Sequence, residues 1–591
     1  MKKMKKIFAM LLAVVMVMGM SLTAFAEEDT GTTTGQENPP TTTGSKPTNG
    51  DALEASVTNI KQAGVTVTAY QVVKANYNDK GFTGYSWVDG TGYNEDATKR
   101  DLFVDTVTAE GTTRTLNINE DAIVYLAGLA KAGTLGEGIT MDLQAGTTTY
   151  SKELAAGSYV VLVTGSNDII YNPMLVGVYY TTTGSGDSNS LVTDALDATS
   201  SWTLLAQDGF VKSSEPDIEK KIEGSGSNND HGDDVAIGDT VSFRIDTQMP
   251  SYSDQYTAPQ FNISDEISEG LTYEAKTLHV YVKTMGTDDA TGAEKEVLTE
   301  LEEGADTWNF DTDKDFSADK KEFKIKFATA YIKANQGADI VIKYDAKLNE
   351  KAGINFDPNT NKATLEYSNN PDPDEDLKTK DDTTYHYTFG IDADLYGQGS
   401  ETWNKFTEEL LKTGEIVKVD LDNGTIVERP KRLPGAEFTL TREDGKSYTT
   451  VSDDNGYLSF TGLDAGTYTL QETKAPEGYS LNDAQIPVEI TATYNEDGTL
   501  DNYMIKVNNH ETSTYTATYE TTTKKVTNIK VEPGHDNDWS DISDTHEIKN
   551  TKLAALPSTG GIGTTIFTIG GCAIMIVAAG LFFATRRKAD K

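Results

Sequence analysis

The chain has a single cysteine, Cys572, among its 591 residues, so it cannot form an internal disulfide. Basic residues are also scarce: 51 Lys and Arg stand against 92 Asp and Glu, for a net charge of −41. Nucleic-acid binding needs a cationic surface, and this balance argues against it. The six histidines are scattered without a metal-ligand pair, and no glycine-rich phosphate loop occurs. The sequence therefore predicts no metal, no cofactor and no enzyme that turns over a substrate.

The N-terminus carries an export signal. Residues 1–26 combine a lysine-rich start, an apolar run and the small-residue pattern Ala24-Phe25-Ala26, which is typical of a cleaved signal peptide. An exported protein of several domains with no disulfide can be cross-linked internally only through side chains other than cysteine.

The C-terminus has a different three-part pattern. Residues 562–584 carry no charge and are numerous enough to cross a bilayer core of about 30 Å as a transmembrane helix. A basic cluster at 586–588 follows and indicates the cytoplasmic side. The pentapeptide before the apolar run consists of Leu556, Pro557, Ser558, Thr559 and Gly560.

This order of pentapeptide, apolar run and basic tail resembles the cell-wall sorting signal of Gram-positive surface proteins. The resemblance implies that sortase cuts between Thr559 and Gly560 and joins the Thr559 carboxyl to an amine. The membrane is then a partner only before this processing, and peptidoglycan is the final anchor.

Composition divides the rest of the chain. Residues 27–50 are rich in Thr, Gly and Pro and predict a disordered linker. Short runs of β-branched and aromatic residues between turn signals then predict three β-rich domains, at 51–212, 213–384 and 385–552, before the sorting region 553–591. The predicted fold class is all-β dominated, with tandem immunoglobulin-like β-sandwich domains between the signal peptide and the C-terminal helix.

The third domain contains two segments, Leu433–Phe438 and Tyr468–Tyr479, that resemble the collagen-adhesin B-type domain of Gram-positive pilins and adhesins. That family joins a Lys to an Asn beside a Glu in a spontaneous isopeptide bond. The resemblance implies Glu472 as the acid, Asn550 as the asparagine and Lys418 as the lysine. Lys412 and Asn528 stay open as alternatives.

The chemistry needs these residue types in a buried place. Burial lowers the pKa of a lysine, and only the neutral amine is a nucleophile. Burial raises the pKa of a carboxyl, which can then stay protonated, polarise the Asn carboxamide and shuttle a proton. Ammonia leaves, and no external enzyme is required.

The middle domain contains a second set of candidate residues for an isopeptide bond. Ile218, Lys220 and Ile222 share one face of a predicted strand, so Lys220 points inward. The segment resembles the middle domain of the same pilins, in which Lys, Asp and Asn form the bond. The resemblance implies Lys220, Asp265 and Asn369, with the choice between Asn369 and Asn370 left open.

Major pilins of this SpaA-like, sortase-assembled family also carry an exposed lysine at the end of the first domain, to which sortase joins the preceding subunit. The match here is Lys212, preceded by Phe210 and Val211. We therefore predict the shaft subunit of a surface pilus on a Gram-positive bacterium, with sortase and neighbouring subunits as partners. The alternative is a monomeric wall-anchored adhesin that binds a host or community ligand.

Overall fold

The structure is a computed structural model. It describes residues 42–43, 45–96, 102–108, 111–116, 118, 120–166, 168–181, 191–224, 229–253, 256–288, 291–370, 376–395, 407, 409–420, 425–533, 547–553 and 563–589. The predicted signal peptide and the pentapeptide 556–560 lie outside the described residues.

The first domain is mostly β with one helix, α1 (Glu120–Lys131). Its strands β1–β16 are Thr42–Thr43, Ala52–Thr58, Thr66–Tyr77, Gly81–Trp87, Phe103–Thr108, Gly111–Leu116, Ile139–Thr140, Asp142–Leu143, Tyr150–Ala155, Gly157–Thr164, Ile170–Tyr171, Met174–Thr181, Leu196–Asp197, Ser201–Gln207, Gly209–Phe210 and Ser213–Ser214. One sheet has the order β1-β14-β12-β10-β3-β4-β13, with β7 beside β3, and a second has the order β15-β2-β9-β8. Two short pairs, β5-β6 and β11-β16, complete the domain.

The middle domain is a sandwich of two six-stranded sheets. Its strands β17–β28 are Ile218–Glu223, Gly232–Asp234, Thr240–Gln248, Phe261–Ile267, Leu271–Tyr273, His279–Thr287, Glu294–Glu300, Trp308–Phe310, Glu322–Phe327, Asp339–Leu348, Asn359–Tyr367 and Lys378–Tyr387, with helix α2 at Thr329–Ala334. The orders are β17-β19-β26-β22-β23, with β21 beside β26, and β18-β28-β27-β20-β25-β24. Alternate residues of β19, namely Val241, Phe243 and Ile245, are buried between the sheets, as the period-2 pattern predicts.

The third domain continues with strands β29–β40, which are Phe389–Ile391, Leu411–Asp420, Ile426–Arg432, Glu437–Arg442, Ser447–Val451, Phe460–Leu463, Gly466–Lys474, Gln485–Tyr494, Leu500–Val507, His510–Tyr519, Val526–Pro533 and Glu547–Lys549. A seven-stranded sheet, β33-β32-β35-β36-β37-β38-β39, packs with the smaller sheets β31-β30-β40 and β29-β34. The last strand, β40, pairs in parallel with the start of β30.

Helix α3 (Gly563–Ala589) lies where the sequence predicts the transmembrane segment. Side chains are described for its residues 567–583 and 585–586, and counted over the described residues no helix is long and apolar enough to cross a membrane.

The first and middle domains are joined by specific contacts. The Tyr367 hydroxyl of β27 donates to the Asp168 carbonyl of the first domain at 2.7 Å. Ile170 belongs to β11 of the first domain, yet its side chain packs in the core of the middle domain. The middle and third domains are joined by Asp239, whose carboxylate contacts Arg442 at 2.9 Å and Lys446 at 2.8 Å. Each junction is therefore fastened by specific contacts between the domains.

Candidate cross-linking sites

The first candidate site lies between the two sheets of the middle domain. Lys220 of β17 and Tyr344 of β26 belong to one sheet, and Asp265 of β20 and Asn361 of β27 belong to the other. All four residues are fully or almost fully buried. Inward alternation along each strand brings them together, because every second residue points into the sandwich.

The four side chains form one hydrogen-bonded cluster. Lys220 Nζ lies 2.5 Å from Asp265 Oδ2 and 2.5 Å from the Tyr344 hydroxyl. Asn361 Nδ2 donates to the same hydroxyl at 2.9 Å. The Tyr273 hydroxyl donates to Asp265 Oδ1 at 3.0 Å. The lysine and the asparagine are therefore held beside one tyrosine oxygen.

The surroundings of Lys220 favour its neutral amine. Its Nζ lies 4.8 Å from the ring centroid of Phe243 and 4.9 Å from that of Tyr344, so two buried aromatic rings line the site. This burial lowers the pKa of Lys220, although the neighbouring Asp265 opposes the shift. A lysine in this environment has a larger neutral, nucleophilic fraction at neutral pH than an exposed lysine has.

The structure brings the predicted Lys220 and Asp265 together but places an asparagine other than Asn369 beside them. Asn369 and Asn370 follow the end of β27 and are only partly buried. The Asn369 side chain reaches the first domain, where Nδ2 donates to the Ser166 carbonyl at 3.4 Å. Asn361 takes the place predicted for Asn369.

Strand alternation could have identified Asn361. Reading back from Tyr367, the inward positions of β27 are Leu365, Ala363, Asn361 and Asn359. A polar residue at an inward position of an apolar strand is the signal. Within the described part of the chain, Asn361 Oδ1 has no hydrogen-bond partner.

The second candidate site lies in the third domain, at the base of β30. Lys412 Nζ lies 2.5 Å from Asn550 Oδ1 and 3.1 Å from Glu472 Oε1. Asn550 Nδ2 donates to the same Glu472 oxygen at 2.9 Å. The lysine and glutamate side chains are fully buried, and Asn550 is 2% exposed. Burial lowers the pKa of Lys412, with Glu472 opposing the shift.

The backbone sets this geometry. Strand β40 pairs in parallel with β30, so that Lys412 faces Ile548, and the Asn550 amide donates to the Thr413 carbonyl at 2.9 Å. Glu472 comes from β35 of the larger sheet, and its second oxygen accepts the Asn482 amide at 2.7 Å. The site therefore connects the two sheets of the domain.

The structure does not bring the predicted lysine, Lys418, to this site. Its side chain is 74% exposed and pairs with Glu428 at 3.7 Å on the far half of the β30-β31 hairpin. Lys412, which the sequence left open, occupies the site instead. The alternative Asn528 is exposed on β39, whereas Asn550 is in contact with Lys412 and Glu472.

Lys212 lies at the junction of the first two domains. Its side chain is exposed, while the backbone on both sides is hydrogen-bonded. The backbone N–H of Val211 donates to the Thr58 carbonyl at 3.1 Å, and the Lys212 carbonyl accepts from the backbone N–H of Asn172 at 3.0 Å. The neighbouring Phe210 side chain is 67% exposed. The chain therefore presents an amine from a fixed backbone rather than from a loose linker.

Comparison with known proteins agrees with this architecture. Residues 413–506 match the family model of the SpaA prealbumin-like fold domain, and residues 548–591 match that of the LPXTG cell wall anchor motif. The chain is 28% identical, over 580 residues, to the trypsin-resistant surface T6 protein of Streptococcus pyogenes serotype M6. The alignment covers 91% of this chain and 96% of that protein.

A solved structure shares the fold. The T6 backbone pilin of serotype M6 Streptococcus pyogenes, described as a modular three-domain structure with variable loops and extensions, aligns with a TM-score of 0.51. The sequence identity is 20%, and the alignment covers 86% of this chain and all of the solved chain.

The fold and the anchor motif define a cell-wall-anchored, multi-domain β protein of the Gram-positive cell surface. The resemblance to the sortase-assembled backbone pilins, predicted from the sequence, is confirmed by the SpaA-type domain, the anchor motif and the similarity to the T6 protein. The predicted all-β fold class is confirmed by the same comparisons.

Proposed function

We propose that this chain is the repeating shaft subunit of a covalent surface pilus. Sortase would join Thr559 of one subunit to Lys212 of the next, and the last subunit would be joined to peptidoglycan. The observation that carries the proposal is the pair of buried Lys–acid–Asn clusters in consecutive domains of a wall-anchored protein. Such clusters suit a subunit that must withstand tension.

We further propose that both clusters form isopeptide bonds, Lys220 to Asn361 and Lys412 to Asn550. In each case the neutral lysine amine attacks the Asn side-chain carbon, and the nearby carboxyl moves the proton that lets ammonia leave. Each bond closes a loop of about 140 residues, which is worth about 5 kcal/mol on the chain-entropy scale used for disulfides. The cross-links would thus supply the covalent stability that a single cysteine cannot.

The position of each bond suits a load-bearing role. Lys220 lies on β17, the first strand of the middle domain, and Asn361 lies on β27, the strand before the last one. Asn550 lies six residues before Leu556, where the sorting pentapeptide begins. Tension applied near Lys220 would be carried by the bond to Asn361, and tension applied near Asn550 would be carried by the bond to Lys412. In each domain the covalent bond would take the load before the hydrogen bonds of the sheets.

The shaft proposal predicts covalent polymers. Cells that express this chain with a pilus-type sortase should give a ladder of multimers after boiling in detergent, whereas the same cells without that sortase should give the monomer. The ladder is measured on an immunoblot of cell-wall extracts. A single wall-anchored band in the presence of an active pilus sortase would favour the monomeric adhesin instead.

The isopeptide proposal predicts a mass deficit. The soluble part of the chain should be lighter than its sequence mass by two ammonia molecules, and Asn361→Ala should restore one of them. Asn369→Ala should restore none, because Asn369 contacts Ser166 rather than the lysine. Intact-mass spectrometry makes both measurements. A full sequence mass for the wild type would rule out the bonds.

A further inference from the structure

The two clusters differ in which oxygen lies between the reacting nitrogens. In the third domain, Glu472 Oε1 is 3.1 Å from Lys412 Nζ and 2.9 Å from Asn550 Nδ2. One carboxylate oxygen therefore contacts both the nucleophile and the leaving group. A proton can pass from one nitrogen to the other through this single residue.

The middle domain has no such carboxylate bridge within the described residues. Asp265 contacts Lys220 through Oδ2, while its Oδ1 accepts from Tyr273. The Asn361 side chain donates to the Tyr344 hydroxyl, and its Oδ1 has no hydrogen-bond partner among the residues that the structure describes. An aspartate side chain is one methylene shorter than a glutamate, and the Tyr344 hydroxyl occupies the position that Glu472 Oε1 has in the third domain.

We propose that Tyr344 is a catalytic residue of the middle-domain cross-link and delivers the proton to the leaving nitrogen of Asn361. The proposal rests on the proposed isopeptide bond between Lys220 and Asn361. The hydroxyl oxygen lies 2.5 Å from Lys220 Nζ and 2.9 Å from Asn361 Nδ2, so it contacts both reacting groups. In this domain Asp265 and Tyr344 together carry out the proton transfers.

The proton balance closes without an outside reagent. A proton first moves from the Lys220 ammonium to the Asp265 carboxylate across their 2.5 Å contact, which leaves a neutral amine beside a carboxyl that carries the proton. The bond between Lys220 Nζ and the Asn361 side-chain carbon forms, and the bond from that carbon to Nδ2 breaks. The Nζ proton passes to Asp265, while the Asp265 proton passes through the Tyr344 hydroxyl to Nδ2. Ammonia leaves, and both the aspartic acid and the tyrosine end as they began.

Packing against neighbouring aromatic rings fixes the position of the Tyr344 ring. It stacks on Phe243 at a centroid distance of 5.3 Å and packs edge-on against Phe323 at 5.3 Å and Tyr273 at 5.9 Å. Burial, the Asp265 charge and a hydrogen bond to Asp265 raise the pKa of Tyr344 well above its usual value, so the hydroxyl keeps its proton at neutral pH. In the third domain, Lys412 Nζ lies 5.3 Å from the ring centroid of Phe438, which has no hydroxyl.

The test is Tyr344→Phe, which removes one oxygen and keeps the stacked ring. Freshly synthesised protein is sampled over time by intact-mass spectrometry, and the Lys220–Asn361 link is followed by peptide mapping. We expect the middle-domain bond to form roughly a hundredfold more slowly, the usual loss when one proton-transfer group is removed. The third-domain bond in the same molecule should form at the normal rate and shows that the chain is intact. Unfolding measured by circular dichroism shows whether the middle domain has folded.

Tyr252→Phe is the matched control, because Tyr252 is equally buried in this domain and its hydroxyl donates to the Gln260 carbonyl away from the cluster. A second variant, Asp265→Glu in the Tyr344→Phe background, supplies a longer acid and should recover part of the rate. A Tyr344→Phe protein that forms the bond as fast as the Tyr252→Phe control would overturn the proposal. So would a folded double variant with no recovery. A wild type without any ammonia loss would instead refute the isopeptide bonds themselves.

Discussion

Replacing Lys412 with methionine should remove the third-domain cross-link and lower the stability of that domain by about 5 kcal/mol. Methionine keeps the apolar stem in the buried site, so the main loss is the bond that closes the loop from 412 to 550. For a domain of this size we expect the melting temperature to fall by roughly 10–20 °C. Calorimetry measures the transition, and the deficit of the intact mass from the variant's own sequence mass should be one ammonia smaller than the wild-type deficit.

Lys418→Met is the matched control for this prediction. Both lysines lie on β30, but Lys418 is largely exposed and has only a surface ion pair with Glu428. Surface pairs of this kind contribute about 0–1 kcal/mol, so the melting temperature and the mass deficit should stay close to those of the wild type. If Lys418→Met and not Lys412→Met restored the ammonia, the site described in the third domain would be wrong.

The choice between these lysines could not be made from strand periodicity. Positions 412 and 418 have the same parity, so a regular strand would place both on one face. The resemblance to the collagen-adhesin domain implies Lys418, whereas the strand is irregular between Thr413 and Ile416 and its far half is largely exposed. Only the tertiary packing of β30 against β40 shows which half is covered.

The other site residues were more accessible to sequence reasoning. Lys220 followed from alternation with Ile218 and Ile222, and both isoleucines are buried as predicted. Glu472 and Asn550 followed from resemblance to a motif, and the structure brings both to Lys412. Tyr344 had no sequence signal, because an inward tyrosine on a strand is ordinary core packing until its hydroxyl is seen between two reactive nitrogens.

The junction between the first and middle domains lies close to the lysine proposed for polymerisation, Lys212. Tyr367 and Asn369 at the end of β27 both contact the first domain, close to the segment that carries Lys212. Asn369, which the sequence predicts as a cross-linking residue, lies at this junction and contacts Ser166. A sortase carrying the Thr559 acyl group would meet an amine whose backbone is fixed on both sides, which reduces the entropy lost when the two are brought together.

Lys212→Arg should abolish the pilus ladder while leaving the monomer anchored to the wall. Arginine keeps the positive charge and the length of the side chain, but its guanidinium stays protonated and cannot replace a lysine amine as the nucleophile. Lys61→Arg is the matched control, because Lys61 is also exposed on the first domain, near the same junction, where its amide donates to the Tyr171 hydroxyl at 3.1 Å. An immunoblot of wall extracts should show a ladder for Lys61→Arg and a single band for Lys212→Arg. Both internal cross-links should persist in both variants, since neither lysine lies in a buried cluster, and a normal ladder from Lys212→Arg would transfer the role to another exposed lysine.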